Sequence, residues 1–244
     1  MFRHSSFVNT PYGFKLSGND NMVATGFEQD EIDLVLTRLK DCDIFVDIGA
    51  NIGLYTCLAL SCGRHVIAIE PLRDNLDYLF KNIRENGFQD VEVFPVGLGS
   101  RPGLVDLYGG ATGASLVKGW ANSSPAYRTT VPLTTMDGLL AERFRNAKIF
   151  IKMDVEGAEE QVLEGATRTL SRVPAPTWMV EICLTEHHPR GMNPNFSAIF
   201  DKFWRTGYEA FTVGGGRRSI TEGDVERWVS THKDEGHNYE FAVP

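Results

Sequence analysis

An α/β fold, with a mostly parallel sheet flanked by helices, is predicted from three observations. Strand-like and helix-like segments alternate from Phe45 onward. A glycine-containing loop, Gly49-Ala50-Asn51-Ile52-Gly53, joins the first apolar strand to a helix. The next apolar strand ends in a carboxylate, Glu70, 23 positions after Asp47.

The elements follow in chain order. Ile32, Val35, Leu36 and Leu39 recur at helical spacing and make an apolar stripe before the first strand. Ile44–Ile48 is apolar except for Asp47, and Val66–Ile69 stops at Glu70-Pro71. Leu72, Leu76, Leu79, Phe80 and Ile83 mark a helix that Gly87 ends. Pro71 suits the first helical position, where its missing N–H costs nothing. Val91–Val96 reads as the third strand and Ile149–Met153 as the fourth. Ala158, Val162, Leu163, Ala166 and Leu170 predict a helix, which Gly165 weakens by about 1 kcal/mol. Trp178–Ile182, Tyr208–Val213 and Tyr239–Val243 supply the remaining strands.

Two regions interrupt this rhythm. Residues 101–135 are rich in Gly, Ser, Thr and Ala without helical period, and predict an irregular insertion with short strands at Val105–Leu107 and Thr130–Leu133. Residues 214–237 open on three glycines and predict a loop with a short helix, Glu222–Val229. Loops of this length in a compact domain usually carry function. The chain is read as one domain, 1–244, with 1–27 as an N-terminal extension.

Composition narrows the function. A 42% hydrophobic content across 244 residues supports a substantial core. A net charge of −8 argues against nucleic acid as the main partner. No apolar run approaches the length of a membrane span, and Met1–Thr10 lacks the apolar stretch of a signal peptide, so a cytoplasmic protein is expected. Cys42, Cys57, Cys62 and Cys183 form no CxxC pair and have no zinc spacing; they read as reduced thiols.

The loop after the first strand carries the most information. Its glycines allow a tight turn and close backbone approach to a ligand. Asn51 can cap the following helix, which starts near Ile52, and tolerates unusual backbone angles. Asn51 and Leu54 stand where a dinucleotide-binding Gly-x-Gly-x-x-Gly loop needs its later glycines, so a nicotinamide-dependent oxidoreductase is disfavoured. Asp47 suits a ligand whose amino-acid end carries an ammonium group, and Glu70 suits two ribose hydroxyls.

These residues resemble the FkbM family of methyltransferases. The resemblance covers Val46–Gly53, Glu70-Pro71 with Asn75, Thr135-Met136-Asp137, Ile151–Glu159 and Asn238–Val243. Its most diagnostic block is Lys152-Met153-Asp154-Val155-Glu156-Gly157. It implies a Rossmann-like class I methyltransferase fold with a seven-stranded sheet in the order 3-2-1-4-5-7-6, strand seven alone antiparallel. It also implies S-adenosylmethionine as methyl donor and a hydroxyl acceptor on a sugar or other small natural product. Cofactor contacts are then expected from Glu28, Asp47, Gly49, Ala50, Asn51, Gly53, Glu70, Pro71, Asn75, Val96, Gly97 and Asp154.

Removing an alcohol proton needs a base or a metal near the methyl group. Asp154 and Glu156 follow the fourth strand and Glu181 lies near the end of the fifth, where ligands of open α/β sheets bind. His187 and His188 could act as base near neutral pH, or be loop residues beside Pro189. Asp154 could instead cap the next helix. Lys152, inside a strand, is expected to pair with a buried carboxylate. No three-ligand spacing favours a metal. Acceptor specificity is expected in Phe7–Val23 and the two insertions, where Trp120, Tyr127 and Trp228 could stack on a sugar or pack in the core. The insertions could equally serve a homo-oligomer. A non-catalytic S-adenosylmethionine-binding module is the alternative reading.

Overall fold

The computed structural model describes residues 6–23, 26–110 and 113–244. Parts of the expected N-terminal extension and of the 101–135 insertion thus lie outside the described residues. The chain opens with a two-stranded hairpin, β1 (Val8–Asn9) and β2 (Lys15–Leu16). There follow α1 (Gln29–Arg38), β3 (Ile44–Ile48), α2 (Leu54–Ser61), β4 (His65–Ile69), α3 (Arg73–Glu85) and β5 (Val91–Phe94). Next come β6 (Gly97–Leu98), β7 (Gly103–Tyr108), β8 (Arg128–Thr134), α4 (Met136–Leu140) and β9 (Ile149–Met153). The chain continues through α5 (Glu159–Glu164), α6 (Thr167–Leu170), β10 (Thr177–Glu181) and α7 (Phe196–Arg205). It closes with β11 (Glu209–Thr212), β12 (Ser219–Ile220), α8 (Glu222–Thr231) and β13 (Asn238–Ala242).

The main sheet runs β12-β11-β13-β10-β9-β3-β4-β5. Counting the expected strands alone, this is the order that the resemblance implies, but the sheet has eight strands rather than seven. The addition is β12, a two-residue edge strand antiparallel to β11. Strand β13, the expected strand seven, is antiparallel to both neighbours and alone among the expected strands in running against the sheet; the added β12 runs with it. Within the 101–135 region the chain is more regular than expected: β7 and β8 form a long antiparallel ladder, and β6 completes a second sheet.

Successive residues of a strand point to opposite faces, and both faces here are buried. Phe45, Phe150 and Met179 meet α1, α2 and α3 on one face. Val46, Ile48, Ile151, Met153 and Val180 meet α4, α5, α7 and α8 on the other. Helix α7 lies outside the expected elements, although Phe196, Ile199, Phe200 and Phe203 are all buried at helical spacing. Strand β2 and the residue after it are strapped to the C-terminal end of α3: Asn82 accepts the Ser17 N–H at 2.9 Å, and Asn86 accepts that of Lys15 at 2.7 Å.

Three local expectations are corrected. Helix α2 begins at Leu54 with Gly53 as its N-cap, so Asn51 does not cap it, although Asn51 does adopt a positive φ of 52°. Pro71 does not start α3. Glu70 Oε1 accepts the Leu72 N–H at 2.8 Å, which holds Leu72 extended, and the helix begins at Arg73. The helix expected from Ala158 to Leu170 is broken at Gly165 into α5 and α6.

Candidate active site

A cleft opens beyond the carboxyl ends of β3, β4 and β9. Gly49, Asn51, Glu70, Pro71, Asn75, Val96, Gly97, Asp154 and Glu156, all expected site residues, line it. Its roof is formed by Leu107, Ala114, Leu116, Val131 and Leu133, from the second sheet and the segment between β7 and β8. The site therefore has an apolar slot with polar groups at its edges, the usual make-up of a small-molecule pocket.

The turn at Gly49 needs its glycine. With φ at +81°, a Cβ there would lie 1.8 Å from the Asp154 carbonyl oxygen, so the loops after β3 and β9 touch backbone to backbone. Glu70, 4% exposed, accepts the Asn51 N–H at 2.9 Å and the Leu72 N–H at 2.8 Å. It also bonds the Asn75 side chain. Burial pushes its carboxyl up to about 7, with these hydrogen bonds pulling the other way. Asn51 Oδ1 is buried with no hydrogen-bond partner among the described residues. A buried acceptor left so is costly unless a ligand supplies the donor.

Other expected contacts do not reach this wall. Asp47 and Ile48 are adjacent in β3 and point to opposite faces; Ile48 lines the cleft, whereas Asp47 turns toward α2. There Asp47, 1% exposed, accepts from Thr56 Oγ1 at 2.7 Å and sits in register with Lys152. Ala50 is packed in the α1–α3 core, and Gly53 fits against Leu79. Glu28 lies at the start of α1 and accepts from Tyr55 Oη at 2.5 Å. Burial raises the carboxyls of both Asp47 and Glu28, and the Lys152 ammonium opposes this.

Lys152 joins these groups. It is 5% exposed, its Nζ lies 3.1 Å from Asp154 Oδ2, and it stacks 4.6 Å over the Tyr55 ring. Asp154, Asp47, Glu28 and Glu181 together hold its ammonium above the usual range. The expected pairing with a carboxylate is present, and Asp154 uses its side chain for it. Asp154 does not cap α5, whose N-cap is Ala158.

Glu181, at the end of β10, is held well above the usual carboxylate range by Asp154 first and by burial second. Glu156 is raised by burial, then by Asp154. Trp120 Nε1 donates to Glu156 Oε2 at 2.5 Å. His187 and His188 pack against the Trp120 ring, with centroids 5.8 and 4.6 Å away. Burial lowers His188 to about 4, so this imidazole binds a proton poorly near neutrality and does not suit the base role.

The aromatic residues offered for sugar stacking divide. Trp120 and Trp228 are 1% and 2% exposed, hence core residues, whereas Tyr127 is 73% exposed. Four non-glycine residues with positive φ (Glu28, Asn51, Glu156 and His187) surround the site. Such strain costs about 1–3 kcal/mol each and clusters at functional sites. Sequence reasoning missed Tyr55, Thr56, Ser115 and Glu159. The first two had a local signal, as polar residues in the otherwise apolar run Leu54–Leu60. Glu159, 4% exposed, accepts the Gly157 N–H at 2.8 Å and closes the turn after β9.

Comparison with known proteins accords with this geometry. The sequence profile of the Methyltransferase FkbM domain matches residues 47–210. The chain is 31% identical over 146 residues to the hexuronic acid methyltransferase AglP of Haloferax volcanii. That alignment covers 60% of this chain and spans 59% of the relative. The crystal structure of an O-methyltransferase from Bacillus cereus in complex with SAH aligns with a TM-score of 0.50 at 14% identity, covering 90% of this chain and 81% of that one. This likeness shows the fold, an α/β class I methyltransferase architecture.

Proposed function

The chain belongs to the methyltransferase FkbM domain family, and from that premise we propose that it is an S-adenosylmethionine-dependent O-methyltransferase acting on a hydroxyl of a sugar, glycan or other small molecule. One observation carries the reading. One cleft with an apolar slot is lined by Glu70 after β4 and by Asp154 and Glu156 after β9.

The residues fit the cofactor. Glu70 has acceptor capacity left for a ribose hydroxyl, since a carboxylate offers about four lone-pair sites, of which two backbone amides and the Asn75 side chain use three. The unpaired Asn51 Oδ1 suits an ammonium donor, and the roof of Leu107, Leu116 and Leu133 suits an adenine face. When bound, S-adenosylmethionine supplies an electrophilic methyl group. The chain's own part is to position the acceptor hydroxyl in line, exclude water and take the proton. Glu156 is the base in this reading: it lines the cleft after β9, and its carboxyl, raised by burial, once ionised takes a proton more strongly than an ordinary carboxylate. Asp154, paired with Lys152 at 3.1 Å, lines the cleft beside Glu156.

The relative that acts on a hexuronic acid favours a carbohydrate acceptor. The test is transfer of a tritiated methyl group to a panel of neutral sugars, uronic acids and short glycans. Label stable to mild alkali, lost in Asp154→Asn while S-adenosylhomocysteine still binds, is the expected result. Alkali-labile label would mean an ester on a carboxylate and would overturn the hydroxyl assignment. Binding without transfer to any acceptor would favour a non-catalytic cofactor-binding module.

A further inference from the structure

We propose that Trp120 is a positioning residue, which through its indole N–H fixes the Glu156 carboxylate in the cleft and tunes it for proton uptake. The proposal rests on Glu156 as the base.

The segment from Ser115 to Asn122 grips the loop after β9 at several points. Ser115 Oγ donates to the Glu156 carbonyl, and Trp120 Nε1 donates to Glu156 Oε2 at 2.5 Å. Both ends of one residue are therefore held from a segment 36 to 41 positions away. Glu156 has a φ of 53°, a conformation that few non-glycine residues adopt. Gly157 follows with φ at +91°, and a Cβ there would lie 2.6 Å from the Trp120 ring. The ring thus occupies the space that any other residue at this position would need. On its far side the same segment holds the loop after β10, where Ala121 N–H donates to the His187 carbonyl at 2.9 Å.

Its purpose is hard to read as simple packing. A buried indole could meet its N–H need at a backbone carbonyl, as most buried side-chain donors do. Here it goes to a carboxylate on the cleft wall. Ala114 and Leu116, from the same stretch of chain, roof the cleft. One segment therefore touches the cofactor slot, the reacting carboxylate and the His187–His188 loop. The charged groups that face Glu156 are Lys152 from β9, Asp154 just after it, Glu159 from α5 and Glu181 from β10. Against three carboxylates, the indole N–H is a neutral donor that favours the ionised form, and its loss raises the pH at which Glu156 ionises.

The direct test needs no acceptor. In protein carrying 15N-labelled tryptophan, bound to S-adenosylhomocysteine, four indole resonances are expected, and Trp120→Phe identifies its own by removal. That resonance should move in a titration step that Glu156→Gln abolishes. Since Glu156→Gln retains Trp120, this arm stands even if Trp120→Phe folds poorly. A Trp120 resonance unmoved by pH, or moving unchanged in Glu156→Gln, would overturn the proposal. In the transfer assay, Trp120→Phe should lower kcat by about tenfold with KM for S-adenosylmethionine within about twofold of wild type. The ascending limb of its pH–rate profile should move to higher pH, whereas Trp204→Phe on α7 should change neither. The same loss from Trp120→Phe in a Glu156→Gln background would mean that the indole does not act through Glu156. Full turnover by Glu156→Gln would overturn the base assignment itself, and the titration shows separately whether the contact failed.

Discussion

Glu70 is buried in the lining of the cleft, with backbone amides of Asn51 and Leu72 on its two oxygens. Burial moves its carboxyl from 4.5 to about 7. As pH rises from 4.5, the unfolded chain releases this proton first, while the folded chain keeps it. The stability contributed by a neutral, buried Glu70 is therefore full below 4.5 and lost as pH rises through about 7. Ribose hydroxyls donate best to the ionised form, so binding has the opposite trend. Affinity for S-adenosylhomocysteine, measured by calorimetry, should be about tenfold weaker at about pH 6 than at about pH 8. Glu70→Gln should bind weakly at every pH and lose this dependence. An affinity independent of pH in the unaltered protein would show that Glu70 does not face the ribose.

The break between α5 and α6 sets two element-scale effects against each other. Gly165, the C-cap of α5 with φ at −87°, is a position where alanine would gain about 0.4–1 kcal/mol by restricting the unfolded chain. Its Cβ, however, would lie 2.1 Å from the Gly99 carbonyl oxygen, which belongs to the chain leaving β6. Crowding a packed backbone contact costs about 1–3 kcal/mol, so Gly165→Ala should destabilise the fold by about 1 kcal/mol in urea unfolding. A gain in stability would mean that the Gly99 segment yields freely. Contacts of this kind also explain what could be read from sequence. Strands β3 and β9 match their expected bounds because a strand buried on both faces reads as an apolar run with polar ends. Strand β5 stops at Phe94, short of the expected Val96, because Pro95 has no N–H to continue the ladder. The two-residue strands β1, β2 and β12 are too short to show a period. Helix α7 did show one, and its apolar spacing was there to be read.

At the scale of the molecule, the parallel strands bring Gly49, Glu70 and Asp154 to one end of the sheet, and that convergence was visible in strand order and motif spacing. The roof and the Trp120 contact were not, since they depend on how the second sheet docks, which no local pattern encodes. Asp47 was misplaced by one step of strand alternation. No helix among the described residues is long and apolar enough to cross a membrane. The central claim is that this cleft takes a sulfur-containing adenosyl amino acid and not a dinucleotide. Thermal unfolding with S-adenosylmethionine, S-adenosylhomocysteine or NAD present tests it most directly. At about 100 times its dissociation constant, each sulfur compound should add about 2.7 kcal/mol of stability, and NAD should add none. Stabilisation by NAD, or by none of the three, would contradict the account.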